Sequence, residues 1–214
     1  MSCCDAPAWA CQFDQKKAVR DLRDYREGGP AATTQALIGA LVSAGVEQST
    51  LLDIGGGIGA IQLELLKAGT REATNVDVSA AYLDVAREEA ARQGFSARIT
   101  FQLGDFVDLA PQLPAADIVT LDRVVCCYAK MEPLVRASAE RCRRLYGLVY
   151  PRDRWLVRTV IGVQNFFRSL WRNPFRSFAH SVDAMDALIR SLGFTLRQRV
   201  RTFSWEVVLY QKEG

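Results

Sequence analysis

Asp53-Ile54-Gly55-Gly56-Gly57-Ile58-Gly59 is the stretch of this chain best equipped for chemistry. An apolar run closes on an acid, four glycines follow, and Ile61-Gln62-Leu63-Glu64-Leu65-Leu66 continues with helical spacing. That order spells strand, tight turn and helix start. Glycines let the backbone bend sharply and leave bare main chain for a ligand where a Cβ would block it. The N–H groups opening the next helix favour an anionic group in the same space. Gly55-x-Gly57-x-x-Ala60 also satisfies the dinucleotide-binding fingerprint. Asp77 ends the next apolar run, where a carboxylate can accept both hydroxyls of a ribose. Val78, Tyr82 and Leu83 can then pack on an adenine face or serve as helix core. Two more segments leave strand ends on the same edge: Gly104-Asp105-Phe106, and Thr120-Leu121-Asp122 running on to Cys126-Cys127-Tyr128. Asp122 and Tyr128 are the candidate general bases, needed only for an acceptor that starts protonated.

Strands alternating with helices must hold these groups. Strands are expected at Thr50–Ile54, Glu72–Val78, Arg98–Leu103, Ala116–Leu121 and Gly147–Tyr150. Helices are expected at Ile58–Ala68, at Ala80–Gln93 with Ser79 as N-cap, and at Glu132–Leu145. Such alternation calls for a parallel, doubly wound α/β sheet. Two amphipathic helices, Phe13–Tyr25 and Thr33–Ala44, come first, and residues 1–11 are expected to fray or to fold over the site as a lid. After Pro151 the pattern changes: Trp155–Trp171 is an apolar, arginine-bearing helix, Ser181–Ser191 another helix, and Thr195–Thr202 with Ser204–Gln211 a tight strand pair. No linker or repeat divides the chain, so one domain is expected over 1–214. Its parts are a helical lid (1–45), a core (46–150), a substrate-cover insertion (151–180) and a closing helix with two strands (181–214).

The composition, 49% hydrophobic and 24% charged, is that of an ordinary globular protein. No apolar run reaches the ~20 residues needed to span a bilayer, and no signal peptide is evident, so a cytoplasmic location is expected. The six cysteines are then reduced thiols. Cys3, Cys4 and Cys11 could join Cys126 and Cys127 around a soft metal, but isolated thiols are the plainer reading and no metal is expected. The net charge of +3 divides unevenly: residues 141–214 carry 14 Arg or Lys against 5 acids, so +9, leaving −6 for the rest. An anionic partner or substrate near the C-terminal third is one explanation, a solvated basic face the other.

Asp53-x-Gly55-x-Gly57-x-Gly59 resembles motif I of the class I S-adenosylmethionine-dependent methyltransferases. The strand pair that finishes an otherwise parallel sheet is also that family's arrangement. The resemblance implies a Rossmann-like, seven-stranded, mostly parallel sheet with an antiparallel C-terminal pair, two N-terminal helices and an inserted helix before the last strands. It implies S-adenosylmethionine as cofactor, with Asp53 bracing the loop of Gly55, Gly56, Gly57 and Gly59, and Asp77 and Val78 on the nucleoside. It places Asp105, between Gly104 and Phe106, on the adenine amino group, Leu121 beside the methionine moiety, and Tyr25 with Arg26 as a clamp on the amino-acid end. Leu121-Asp122 to Tyr128 further resembles the Leu-Asp-x-x-x-His-Tyr run of magnesium-protoporphyrin methyltransferases, with Cys127 in the histidine's place and one residue more. The one histidine, His180, could enter the site from the far side. The expected function is methyl transfer to a small, partly apolar, anionic acceptor, covered by Trp155, Phe166, Phe167 and Trp171 and met by Arg152, Arg154 or Arg158. The alternatives are a nicotinamide-dependent oxidoreductase and a porphyrin-type carboxylate O-methyltransferase. A membrane-associated module built on 155–178 competes with the substrate lid, and the chain is expected to stay in solution. No nucleic-acid partner is expected; the oligomeric state stays open.

Overall fold

The computed structural model describes residues 12–213, so the expected lid of residues 1–11 lies outside it. Seven strands form one sheet: β1 (Thr50–Ile54), β2 (Glu72–Asp77), β3 (Ile99–Leu103), β4 (Ala116–Asp122), β5 (Cys142–Pro151), β6 (Phe194–Arg201) and β7 (Trp205–Lys212). Their order is β3-β2-β1-β4-β5-β7-β6. The first five run parallel, and β7 lies antiparallel to both its neighbours. The expected Rossmann-like sheet with an antiparallel closing pair is therefore present.

Helices cover both faces, as parallel strands require. On one side α1 (Gln15–Gly28), α2 (Ala32–Ser43), α3 (Ala60–Lys67) and α4 (Ala80–Arg92) bury Leu22, Leu37, Leu41, Leu63, Leu65 and Val85 against the sheet. On the other, α5 (Phe106–Leu109), α6 (Met131–Glu140) and α8 (Val182–Ser191) bury Phe106, Leu134, Val135, Met185 and Ile189. Local signals set several helix starts. Asp14 caps α1 through the Lys17 amide, Ser79 caps α4 through Tyr82, and Ser181 caps α8 through Ala184.

Most expected boundaries shift by one to three residues, and one differs by more. The helix expected to reach Leu145 stops at Glu140, and β5 takes ten residues from Cys142 rather than four. From Leu145 to Pro151 every residue of β5 is buried, because α2 covers one face of this central strand and α6 the other. A strand packed on both sides shows no alternation, so its beginning merges with the preceding helix in the sequence. Between β5 and α8 lies α7 (Trp155–Leu170), of which only Val157 is fully buried.

Candidate active site

The carboxyl ends of β1, β2, β3 and β4 open onto a cavity of about 1020 Å³. Its floor is the glycine turn after β1. Gly55 and Gly57 have φ of +62° and +55°, a region that side chains other than glycine's rarely enter. A Cβ on Gly55 would also stand 2.4 Å from Val124 Cγ2, so no other residue fits there without moving the β4 loop. α3 begins at Gly59 with no side-chain cap, and Ala60 and Ile61 of its first turn face the cavity.

Two carboxylates frame this floor. Asp77 accepts from the Gly57 amide at 3.0 Å and the Ser79 amide at 2.8 Å, one on each oxygen. Burial pushes its carboxyl up, and those amides pull it back. Asp53 sits one strand inward, beside Asn75 on β2 and Thr120 on β4. Instead of bracing loop amides as expected, it accepts from Thr120 Oγ1 at 2.7 Å, and Oδ2 has no partner among the described residues. Burial pushes this carboxyl up to about 7. The side-chain amides of Asn75 and Gln62, also fully buried, lack partners as well. Unpaired polar atoms of this kind cost about 1–3 kcal/mol each.

The rest of the wall comes from Val78, Gly104, Asp105 and Phe106. Asp105 Oδ1 caps α5 through the Val107 amide at 2.9 Å and accepts the Tyr128 hydroxyl at 2.6 Å. That bond and burial hold the phenol protonated, so Tyr128 ties two loops together and is not a free base. Two expected residues are absent from the lining. Leu121 points into the core around α5 and α6, and Gly59 lies behind the turn, where a Cβ would meet Gln62 Nε2. The Tyr25 ring faces the cavity, but its hydroxyl donates to Glu64 at 2.6 Å and Arg26 pairs with Glu89 at 2.7 Å. Neither polar group is the expected clamp. The roof is instead Phe13, edge-on to both Tyr82 and Phe175.

Asp122, at the end of β4, accepts from Thr34 Oγ1, and its other oxygen lies 3.3 Å from Arg123 Nε. Burial pushes it above the usual carboxylate range, while Arg123 opposes. Arg123 takes a left-handed φ of +62°, and its carbonyl accepts from the thiols of both Cys126 and Cys127. His180 bonds through Nε2 to the Tyr128 carbonyl at 2.8 Å, so it supports this loop from behind and lines neither cavity. Cys3, Cys4 and Cys11 lie outside the described residues.

A second cavity of about 570 Å³ shares Phe13, Lys17, Arg123, Cys127 and Phe175 with the first. Its outer wall is α7, through Leu156, Val157, Val160, Ile161, Gln164 and Arg168. The expected cover of Trp155, Phe166, Phe167 and Trp171 is corrected, since none of the four lines either of these two cavities and all are exposed. The expected arginines are engaged elsewhere: Arg152 with the Thr202 carbonyl, Arg154 over the Phe203 ring and Arg158 with Asp153. Arg168 reaches the cavity instead, bonded to the neutral Asn165 Oδ1 and Ser177 Oγ and stacked on Phe175. Phe13, Thr34, Arg168 and Phe175 are the site residues that the sequence did not single out. Only Phe175 carried a signal, an aromatic after Pro174 and off the helical stripe.

Residues 51–146 match the family model described as a methyltransferase domain. No curated protein sequence matches the chain. Among solved structures, a magnesium protoporphyrin IX methyltransferase from Synechocystis PCC 6803 with bound SAH is 18% identical, with a TM-score of 0.70 over 94% of this chain and 100% of that one. An O-methyltransferase family protein from Burkholderia thailandensis is 16% identical, with a TM-score of 0.69 over 94% of this chain and 64% of that one. A putative sarcosine dimethylglycine methyltransferase from Galdieria sulphuraria is 14% identical, with a TM-score of 0.66 over 84% and 85%. At these identities the likeness is one of fold.

Proposed function

We propose that the chain is a class I S-adenosylmethionine-dependent methyltransferase and that it methylates a small, partly apolar, anionic acceptor held in the second cavity. The observation that carries this reading is the junction of the two cavities. They share Arg123 and Cys127 immediately after Asp122, where a donor in one would meet an acceptor in the other.

The residues present fit the cofactor. Asp53 Oδ2 is a buried oxygen without a partner among the described residues, suited to a cationic group, and the turn at Gly55 and Gly57 lines the cavity with main chain. Each oxygen of Asp77 keeps a lone pair for a ribose hydroxyl, and Asp105 Oδ2 is open for an exocyclic amine. S-adenosylmethionine, when bound, supplies an electrophilic methyl on a sulfonium. The chain's own part is to align the acceptor and exclude water, which Phe13 and Phe175 do as a shared lid. Arg168, whose hydrogen-bond partners among the described residues are neutral, is suited to an acceptor's anionic group, and Leu156, Val157, Val160 and Ile161 to its apolar body. For an acceptor that starts protonated, Asp122 is the base at the junction, because burial has raised its proton affinity. We read residues 12–213 as one unit, with α1 and α2 as roof and α7 as acceptor wall.

Calorimetry with S-adenosylhomocysteine tests the first half of this reading; absence of binding defeats it. A screen of small carboxylates and phenols by release of S-adenosylhomocysteine tests the second. Turnover confined to uncharged acceptors would remove Arg168 from its role.

A further inference from the structure

Among the described residues, none covers the face of α7 turned away from the cavity. Trp155, Phe166, Leu170 and Trp171 are 65–75% exposed, Val163 is 50% exposed, and Phe203 on the neighbouring β6–β7 turn is 69% exposed. Trp155, Val163, Phe166 and Leu170 recur at helical spacing as one stripe on the solvent side, with Trp171 just past the helix end and Phe203 at the rim of the second cavity, while Val157, Ile161, Gln164 and Arg168 form the cavity side. The bare aromatic and aliphatic surface is on the order of 500 Å², at the upper end of what a soluble monomer leaves uncovered.

Charge indicates what covers it. From residue 154 to residue 182 there is no Asp or Glu, and five arginines stand at 154, 158, 168, 172 and 176. Arg158 is paired with Asp153 and Arg168 faces the second cavity, whereas Arg154 and Arg172 flank the stripe at its two ends. Arg154 lies over the Phe203 ring, joining the turn to the helix patch. A second copy docking through the same face would bring like charges together. An anionic surface with an apolar interior satisfies both the arginines and the aromatics. No helix among the described residues is long and apolar enough to cross a membrane.

We propose that the outer face of α7, with Phe203, docks on an anionic lipid surface. The inference goes beyond the acceptor assignment and does not depend on it, though it places the acceptor cavity one helix thickness from the lipid.

Vesicle flotation of the full chain tests it. The chain is expected to float with phosphatidylcholine vesicles containing phosphatidylglycerol, only weakly with phosphatidylcholine alone, and to be released by salt. Replacing Phe166 and Trp171 together by serine is expected to weaken partitioning about 100-fold, with affinity for S-adenosylhomocysteine unchanged as the sign of an intact fold. Should that variant lose S-adenosylhomocysteine binding, Arg154→Gln with Arg172→Gln replaces it. Those changes are expected to weaken binding to the anionic vesicles at least ~10-fold and to leave binding to neutral ones alone. The proposal is overturned if the wild-type chain does not float, or if both variants float as it does. It is equally overturned if the chain forms a dimer that Phe166→Ser and Trp171→Ser dissolve, with no lipid bound.

Discussion

The two cavities are built in opposite ways. The first is made of strand ends and main chain: a glycine turn, an uncapped helix start, and two carboxylates held within the sheet edge. The second is assembled from the side chains of α7, the turn after it, the β6–β7 turn and the loop after β4. A site made of backbone is tied to the fold, so any chain with this sheet can present it. A site made of side chains on an insertion can change its ligand without disturbing the sheet. On this reading the proposed cofactor half is constrained by folding, and the proposed acceptor half is free to specialise.

That contrast breaks if Asp53 behaves as an ordinary buried acid. Its carboxyl is pushed up to about 7 by burial, so the folded chain holds this proton more tightly than the unfolded chain does. Asp53 therefore costs stability progressively as pH rises from about 4 to about 7, and the cost is constant above that. The full shift corresponds to on the order of 4 kcal/mol, an upper bound. Asp53→Asn should be more stable than wild type in urea titrations at pH 8, with the difference shrinking toward pH 4. A cation beside Asp53 opposes the shift. Affinity for S-adenosylmethionine should then climb with pH up to about 7, and lose that dependence in Asp53→Asn.

The next largest effects fall on Asp77 and Gly55. Asp77→Ala leaves the Gly57 and Ser79 amides unpaired and removes the proposed ribose contact, so affinity for S-adenosylhomocysteine should drop on the order of 100-fold by calorimetry. Gly55→Ala should lose similar affinity, because the new methyl must displace Val124. If either variant binds as wild type does, the backbone-built site is not where the cofactor sits. Arg168→Gln sharpens the other side. KM for an anionic acceptor should rise about 10-fold with S-adenosylhomocysteine affinity unchanged, whereas loss of both would make Arg168 a prop for Phe175.

The same division decided what the sequence disclosed. Asp53, Gly55, Gly56, Gly57, Asp77 and Asp105 could be placed at the cavity because they end or follow the strand runs, and strand ends share one edge of the sheet, whereas Gly59 could not. The acceptor half could not be placed that way. The amphipathic stripe of α7 identified a helix, but a stripe does not say which side faces the protein. Trp155 and Phe166, its largest side chains, turned out to face solvent. Tyr25 and Tyr128 were found near the site, yet their hydroxyls go to Glu64 and Asp105, partners 39 and 23 residues away that only the tertiary fold brings into reach. The start of β5 was hidden because burial on both faces erases the period that marks a strand.

The smallest effect sets the two halves against each other with one substitution. Gly162 lies inside α7 in helical conformation, and a Cβ there meets nothing within 4 Å. In a helix interior glycine costs about 1 kcal/mol relative to alanine. Gly162→Ala should therefore raise the melting temperature by roughly 2–4 °C and leave cofactor affinity alone. Gly55→Ala should do the reverse on both counts, since its φ of +62° and Val124 oppose any side chain. Glycine is thus required where main chain forms the site and dispensable where α7 merely passes over it. Should Gly162→Ala instead lower S-adenosylhomocysteine affinity, α7 would have to bend there when the cofactor binds, and the acceptor wall would no longer be independent of the cofactor floor.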